Sequence, residues 1–416
     1  MTNELDKIFD SFEENGIFKN KSLLQNNYQP EEIPHRSKQI KQMASILAPV
    51  LRGERVSNLF LYGKTGTGKT LSIQYIKNEL LKRMKKDSGF KLKIEYLNCK
   101  LKKVSDTEYR ILAELTNNLL KSRGDLTKEQ REKILIPDTG LPTQAVYRRF
   151  IDIIDNEKQL ILLILDEIDQ TVKKISDDFL YNLTRLNVEL SKSQICLVGV
   201  SNNLTFLDEL DPRVKSSLSE EEIVFPPYNA LQLQDILTKR ANDAFNEGIL
   251  QEGVVAKCAA LAAREHGDAR RALDLLRIAG ELAERDGSKK IYLKYIDEAN
   301  EKIERDKILD VINSEPKQFQ LVLSSIIALS EKQPTHSLFT GEVYNFYQGL
   351  CERYKLEVLT QRRVSDIIQE FDMLGIITVN VISKGRGGRM REIKLAINKD
   401  ITEKAKGIIL DSLSYF

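Results

Sequence analysis

The 416-residue sequence predicts a parallel α/β domain, then a helical domain, then a domain of three helices and a β-hairpin. Three observations predict it. In the front half, apolar runs of strand length alternate with helix-period segments. From Asn229 onward the strand pattern stops and glycine-punctuated helices follow. Beyond Lys317, three apolar-striped helices precede two alternating strands.

Composition sets the bounds. The chain is too long for one ordinary core. Hydrophobic residues are 41% and charged residues 30%, ordinary for a soluble globular protein. Net charge is only +2, from 63 basic and 61 acidic residues, so any polyanion partner must be read from local clusters. Cys99, Cys196, Cys258 and Cys351 form no CxxC pair. That pattern points to buried thiols in a reducing compartment. The N-terminal MTNELDKIFDSFEENG is acidic and lacks a signal-length apolar core. No apolar run approaches the ~20 residues of a membrane span. The expectation is a cytoplasmic protein with no membrane partner.

The segment VSNLFLYGKTGTGKTLSIQYIKNELLKR carries the strongest chemistry. Leu59–Tyr62 reads as a buried strand, and Gly63 to Thr70 fits GxxxxGK[ST]. Leu71, Ile73, Ile76 and Leu80 then open a helix. Strand, glycine loop and helix together make a P-loop. Gly63, Lys64, Thr65, Gly66, Thr67, Gly68 and Leu71 are its nucleotide-binding candidates, because such a backbone wraps phosphate oxygens at a helix N-terminus. Lys69 can reach the β- and γ-phosphates, and the Thr70 hydroxyl can ligate Mg²⁺. ATP or ADP with Mg²⁺ is the implied cofactor set.

A P-loop predicts a second strand ending in an acid. QLILLILDEIDQ supplies Asp166 as a Mg²⁺ holder and Glu167 to polarise the attacking water. The bland alternative is an acidic strand end that caps the next element. Val56–Tyr62, Lys91–Asn98, Ile195–Val200 and Glu222–Phe225 fit the remaining strands, with helices at Thr107–Lys121 and Asp177–Ser191. Asn202, at the end of Ile195–Val200, can touch the γ-phosphate or orient water; on local grounds it is equally a turn former.

Four helices follow: Leu231–Asn246, Gln251–His266, Ala269–Arg285 and Tyr292–Lys307. In EHGDARRALDLLRIAGE, Asp268 can N-cap a helix whose first turn holds Arg270 and Arg271. Cations oppose the helix dipole there, which suggests a phosphate; a surface pair is the alternative.

At the back, Thr360 N-caps a helix striped by Val364, Ile367, Ile368, Phe371 and Leu374. IITVNVIS and EIKLAI alternate as antiparallel strands, and SKGRGGRMR joins them. Three helices and a hairpin describe a winged helix. Its recognition helix would bring Gln361, Arg362, Arg363 and Ser365 to DNA. The hairpin tip would bring Lys384, Arg386, Arg389 and Arg391 to phosphates. A solvated helix end, a solvated turn and a protein-binding winged helix are the rival readings.

The P-loop, the DExD strand, Asn202 and GDAR resemble the AAA+ ATPases. HRSKQIKQMASILAPVLRG, LDPRVKSSLSEEEIVFPPYNALQLQDILTKRA and AAREHGDARRALDLLRIAGE resemble more closely the archaeal replication initiators, relatives of the eukaryotic origin recognition complex and its helicase-loading partner. The likeness runs from about Tyr28 to about Ile397. It implies an AAA+ P-loop core over 1–228 with an arm over 1–33, a helical lid over 229–312 and a winged helix over 313–416. It implies Asn202 and Arg270 as sensors, and Tyr228, Arg240, His35 and Arg36 at the nucleotide, the last two near the adenine. Arg213 becomes the candidate arginine finger toward a neighbouring subunit; a solvated pair with Asp211 is the local alternative. The implied partners are double-stranded origin DNA, the replicative minichromosome-maintenance helicase and paralogous initiator subunits. The implied activity is weak ATP hydrolysis acting as a switch. A motor of the same class would show an aromatic pore loop, for which the sequence has no clear candidate. A DNA-binding regulatory ATPase is separated poorly by sequence.

Overall fold

The structure is a computed structural model of the chain and describes residues 16–26, 28–84, 89–100, 107–121, 127–137, 139–218, 220–332, 338–383 and 389–413. It comprises two compact units that divide between Ile296 and Asp297.

The first unit is built on five strands: β1 (Asn58–Tyr62), β2 (Lys91–Asn98), β3 (Gln159–Asp166), β4 (Gln194–Ser201) and β5 (Glu220–Val224). Their order is β2-β3-β4-β1-β5 and every pairing is parallel. All eight residues of β3 are buried, as a strand covered on both faces requires. Leu160, Leu162 and Ile164 pack on one side with Met43 and Ile73, while Ile161, Leu163 and Leu165 pack on the other with Leu112 and Phe150. Because β3, β4 and β1 are neighbours, the residues that follow all three meet at one end of the sheet. That is where open α/β sheets place ligands.

The lid contains helices Ala230–Ala244, Val254–Arg264 and Ala269–Arg285. Asn229 and Gln232 form a capping box on the first, and Asp268 caps the third through the Arg270 and Arg271 amides. Of the arm expected over 1–33, residues 16–26 and 28–33 are described and 1–15 lie outside the described residues. Ile17 and Leu24 are fully buried. Phe18 stacks on Phe245 with centroids 4.9 Å apart, and Ile17 N–H donates to Glu284. A Cβ on Gly280 would lie 2.5 Å from the Phe18 ring, so this mid-helix glycine is the notch that admits the arm.

Several helices are not among the elements expected from the sequence, including Ser37–Leu47, Thr143–Ile154 and Lys399–Leu413. The helix predicted over Tyr292–Lys307 runs on, from Leu293 to Ser314.

In the second unit, helices Lys317–Lys332, Thr340–Arg353, Gln361–Met373 and Lys399–Leu413 pack with β6 (Leu338–Phe339), β7 (Ile377–Ser383) and β8 (Arg389–Leu395). The sheet is antiparallel in the order β6-β8-β7. The register from Ile377↔Leu395 to Ser383↔Arg389 closes the hairpin that the alternation predicts. This is a winged helix, and Lys399–Leu413 adds a helix beyond it. All four cysteines are buried and free. No described helix is long and apolar enough to cross a membrane.

Candidate nucleotide site and nucleic-acid interface

A cleft of ≈ 900 Å³ opens at the C-terminal end of the sheet. Its lining brings together the loop from Thr65 to Leu71, Asp166, Glu167, Asn202, Tyr228, Arg240 and Arg270. Gly63 and Lys64 stand outside the lining and act through their carbonyls.

Lys69 is 5% exposed. Its ammonium donates to Gly63 O at 2.6 Å, Lys64 O at 2.9 Å and Asn202 Oδ1 at 2.9 Å. Burial pulls its pKa down to about 8, against the nearby Asp166 charge and with help from Arg270. A desolvated cation aimed into a cleft is poised for an anion.

Asp166 is buried, and its carboxylate is fixed from three sides. Thr70 Oγ1 donates to Oδ2 at 2.8 Å, Tyr96 O–H to the same oxygen at 2.7 Å, and Glu167 N–H to Oδ1 at 2.9 Å. Glu167 sits in the left-handed region with φ 56° and ψ 41°. For a non-glycine residue that conformation costs roughly 1–2 kcal/mol. The strain lies at the strand end, where the side chain enters the cleft and meets Lys100 Nζ at 3.7 Å.

Asp169 is a bracing residue of the site that sequence reasoning did not single out. It is buried, and its Oδ1 accepts from Ser201 Oγ at 3.2 Å and from Asn202 N–H at 3.3 Å. It thereby ties the segment after β3 to the end of β4, where Asn202 faces Lys69. Its signal is the second aspartate of DEID.

The lid closes directly on the loop. Ala269 N–H donates to Gly66 O at 3.3 Å, and a Cβ on Gly66 would fall 1.7 Å from Asp268 Oδ1. Gly66 also has φ 71°, so both space and backbone require glycine. Arg270 is exposed and lines the cleft across from Lys69.

The remaining nucleotide candidates divide. Tyr228 lines the cleft and carries the Arg36 guanidinium 3.7 Å over its ring. Arg36 is not in the lining. Its guanidinium is used on backbone, donating to Thr67 O at 2.8 Å and Pro226 O at 2.6 Å, and burial lowers its pKa. His35 is likewise not in the lining and lies 2.9 Å from Asp235. Arg36 thereby braces the loop at Thr67, and His35 ties the segment before it to the first lid helix. Arg240 lines the cleft through the arm: it lies 4.3 Å over the Tyr28 ring and donates to Leu23 O at 3.3 Å. Arg213 stands outside the cleft, 83% exposed, with Nε and Nη2 each 3.1 Å from Asp211.

In the second unit, Thr360 caps Gln361–Met373 by accepting from Arg363 N–H. Gln361, Arg362 and Arg363 are exposed at that helix start. Ser365 is joined to the wing, because Arg391 Nη1 donates to its hydroxyl at 2.9 Å. Arg389 lies on β8, where its backbone is described and its side chain is not. Lys384 and Arg386 lie outside the described residues.

A parallel sheet ordered around a P-loop, a lid seated on that loop and a winged helix define an AAA+ protein with a nucleic-acid-binding type of C-terminal domain. Residues 53–207 match the AAA domain family, 234–301 the Cdc6 AAA+ ATPase-type lid domain and 310–405 the CDC6 C-terminal winged helix domain. The ORC1-type DNA replication protein of Thermococcus onnurineus is 50% identical over 396 residues, 95% of this chain and 92% of that protein. ORC1-type DNA replication protein 1 of Sulfurisphaera tokodaii is 46% identical over 406 residues, 97% and 96% of the two chains. Among solved structures, the Aeropyrum pernix ORC1 protein in complex with DNA matches with a TM-score of 0.78 and 41% identity over 96% of this chain and 98% of that one. The chain belongs to the archaeal ORC1/Cdc6-type replication initiator family.

Proposed function

We propose that this protein is an ATP-dependent initiator that binds double-stranded origin DNA and promotes loading of the replicative minichromosome-maintenance helicase. Bound ATP and its slow hydrolysis act as the switch. The observation that carries the reading is the convergence of Lys69, Thr70, Asp166, Glu167, Asn202 and Arg270 on one cleft in a chain of this family.

The donor set fits a nucleoside triphosphate with Mg²⁺. The P-loop amides and Lys69 suit phosphate oxygens. Thr70 and Asp166 offer adjacent hard oxygens, and Mg²⁺ is held by one or two such groups with the phosphates completing its shell. Bound Mg²⁺ would neutralise developing phosphate charge. Glu167 accepts the proton of the attacking water, Asn202 orients that water or the γ-phosphate, and Arg270 binds phosphate from the lid. Arg213, exposed outside its own cleft, suits a finger reaching the γ-phosphate of a neighbouring copy or paralogue. Origin DNA is read by Gln361, Arg362, Arg363 and Ser365, with Lys384, Arg386, Arg389 and Arg391 on the wing. The Aeropyrum pernix relative in complex with DNA supports this part. The working location is the cytoplasm, on the nucleoid.

Mapping the protein's binding sites across its genome tests the reading. Sites concentrated at a replication start, beside repeated asymmetric elements, are expected. Binding restricted to promoters would replace the initiator with a regulatory DNA-binding ATPase.

A further inference from the structure

We propose that Tyr96 is a further positioning residue of the nucleotide site, holding the Asp166 carboxylate in the orientation that receives Mg²⁺; this rests on the nucleotide and metal reading above. Tyr96 lies on β2, the edge strand next to β3, and lines the cleft. Its position is fixed by the sheet, since Tyr96 pairs with Ile164 and Asn98 with Asp166 in the β2–β3 register.

The hydroxyl has one proton, and its neighbours decide where that proton points. Asn98, two residues along β2, and Gln74, on the P-loop helix, line the cleft with it. A carboxylate only accepts, so the proton goes to Asp166 Oδ2, 2.7 Å away.

A carboxylate has about four acceptor positions. Among the described residues Tyr96 and Thr70 occupy those of Oδ2, and Glu167 N–H takes one on Oδ1. About one position is left. Rotation of the carboxylate would move it. Tyr96 opposes that rotation from the side away from the loop, whereas Thr70 has a second duty as a metal ligand. Outer donors of this kind typically govern metal affinity by about 10–100-fold.

The experiment uses Tyr96→Phe in the full chain and reads binding of a fluorescent ATP analogue, first in chelator and then against Mg²⁺. We expect the half-effective Mg²⁺ concentration to rise about 10-fold while affinity in chelator stays unchanged. An unmoved or lowered Mg²⁺ midpoint in Tyr96→Phe overturns the proposal. So does an equal loss of affinity in chelator, which would make Tyr96 a packing residue of the pocket. If the wild-type protein fails to bind the analogue, or binds it with no response to Mg²⁺, the nucleotide reading itself fails and this proposal falls with it.

Discussion

The cleft and the winged helix meet phosphate in opposite ways under the proposed function. In the cleft, Lys69 is buried, bonded to two carbonyls and an amide, and carries a depressed pKa. On the winged helix, Gln361, Arg362 and Arg363 stand exposed at a helix start. The first arrangement has settled its desolvation cost and its geometry in the folded chain, so a ligand meets a formed site. The second leaves its cations in water, where they attract a polyanion over a Debye length and settle their geometry on binding. One therefore favours chemistry, and the other favours search and release.

The largest break in this comparison comes from Glu167→Ala. It should lower ATP turnover by about 10²–10⁴-fold and leave binding intact, read by phosphate release beside analogue titration. Normal hydrolysis would remove Glu167 from its role. Next is Lys69→Ala, expected to weaken ATP binding on the order of 100-fold, about 2.7 kcal/mol, because the charge-assisted hydrogen bond to phosphate goes with the ammonium. On the other side of the comparison, Arg362→Ala with Arg363→Ala should weaken duplex binding about evenly across sequences. The salt slope should drop by roughly one for each arginine that holds a phosphate.

Proton coupling sharpens the contrast. In the free protein Lys69 titrates at about 8, below its ordinary value, chiefly through burial. Phosphate beside it favours the ammonium and raises that pKa. Above pH about 8 the free protein has lost a proton that the complex keeps, so binding takes one up. ATP affinity should hold below pH about 8 and then fall by up to about tenfold per pH unit. A flat profile to pH about 9.5 would mean that Lys69 stays charged throughout. The smallest effect is expected from Gly280→Ala. Its Cβ would meet the Phe18 ring, at about 1–3 kcal/mol, while helix propensity returns about 1 kcal/mol. Net destabilisation of about 1 kcal/mol in thermal unfolding would show that the arm is docked there in solution.

Legibility in the sequence follows the locality of the signal. The P-loop, the acid after β3 and the hairpin are readable because each is set by a contiguous run with one dominant period. β2 is predicted to the residue, Lys91–Asn98, and β3 ends on Asp166 as its apolar run requires. The helix Thr143–Ile154 carries its own signal, with Val146, Phe150, Ile153 and Ile154 at helical spacing, yet it is absent from the predicted elements. Other features cannot be read locally. Asp169 meets Ser201 and Asn202 only because β3 and β4 are neighbours, and Tyr96 meets Asp166 only through the β2–β3 register. The docking of the arm is not legible in its own sequence because Ile17 and Phe18 are held from far along the chain. Their partners include Phe245, Gly280 and Glu284, more than two hundred residues on.

The salt dependence of the two binding reactions, measured in one preparation from about 50 to 200 mM salt, tests the central claim most directly. The account predicts that affinity for duplex DNA falls linearly on a log–log plot with a slope of several units, steeper than that for ATP with Mg²⁺. The Arg362→Ala, Arg363→Ala protein should show a shallower slope for DNA only. Equal slopes for the two ligands, or a DNA slope untouched by the double substitution, would contradict the division of labour between the buried cleft and the exposed helix.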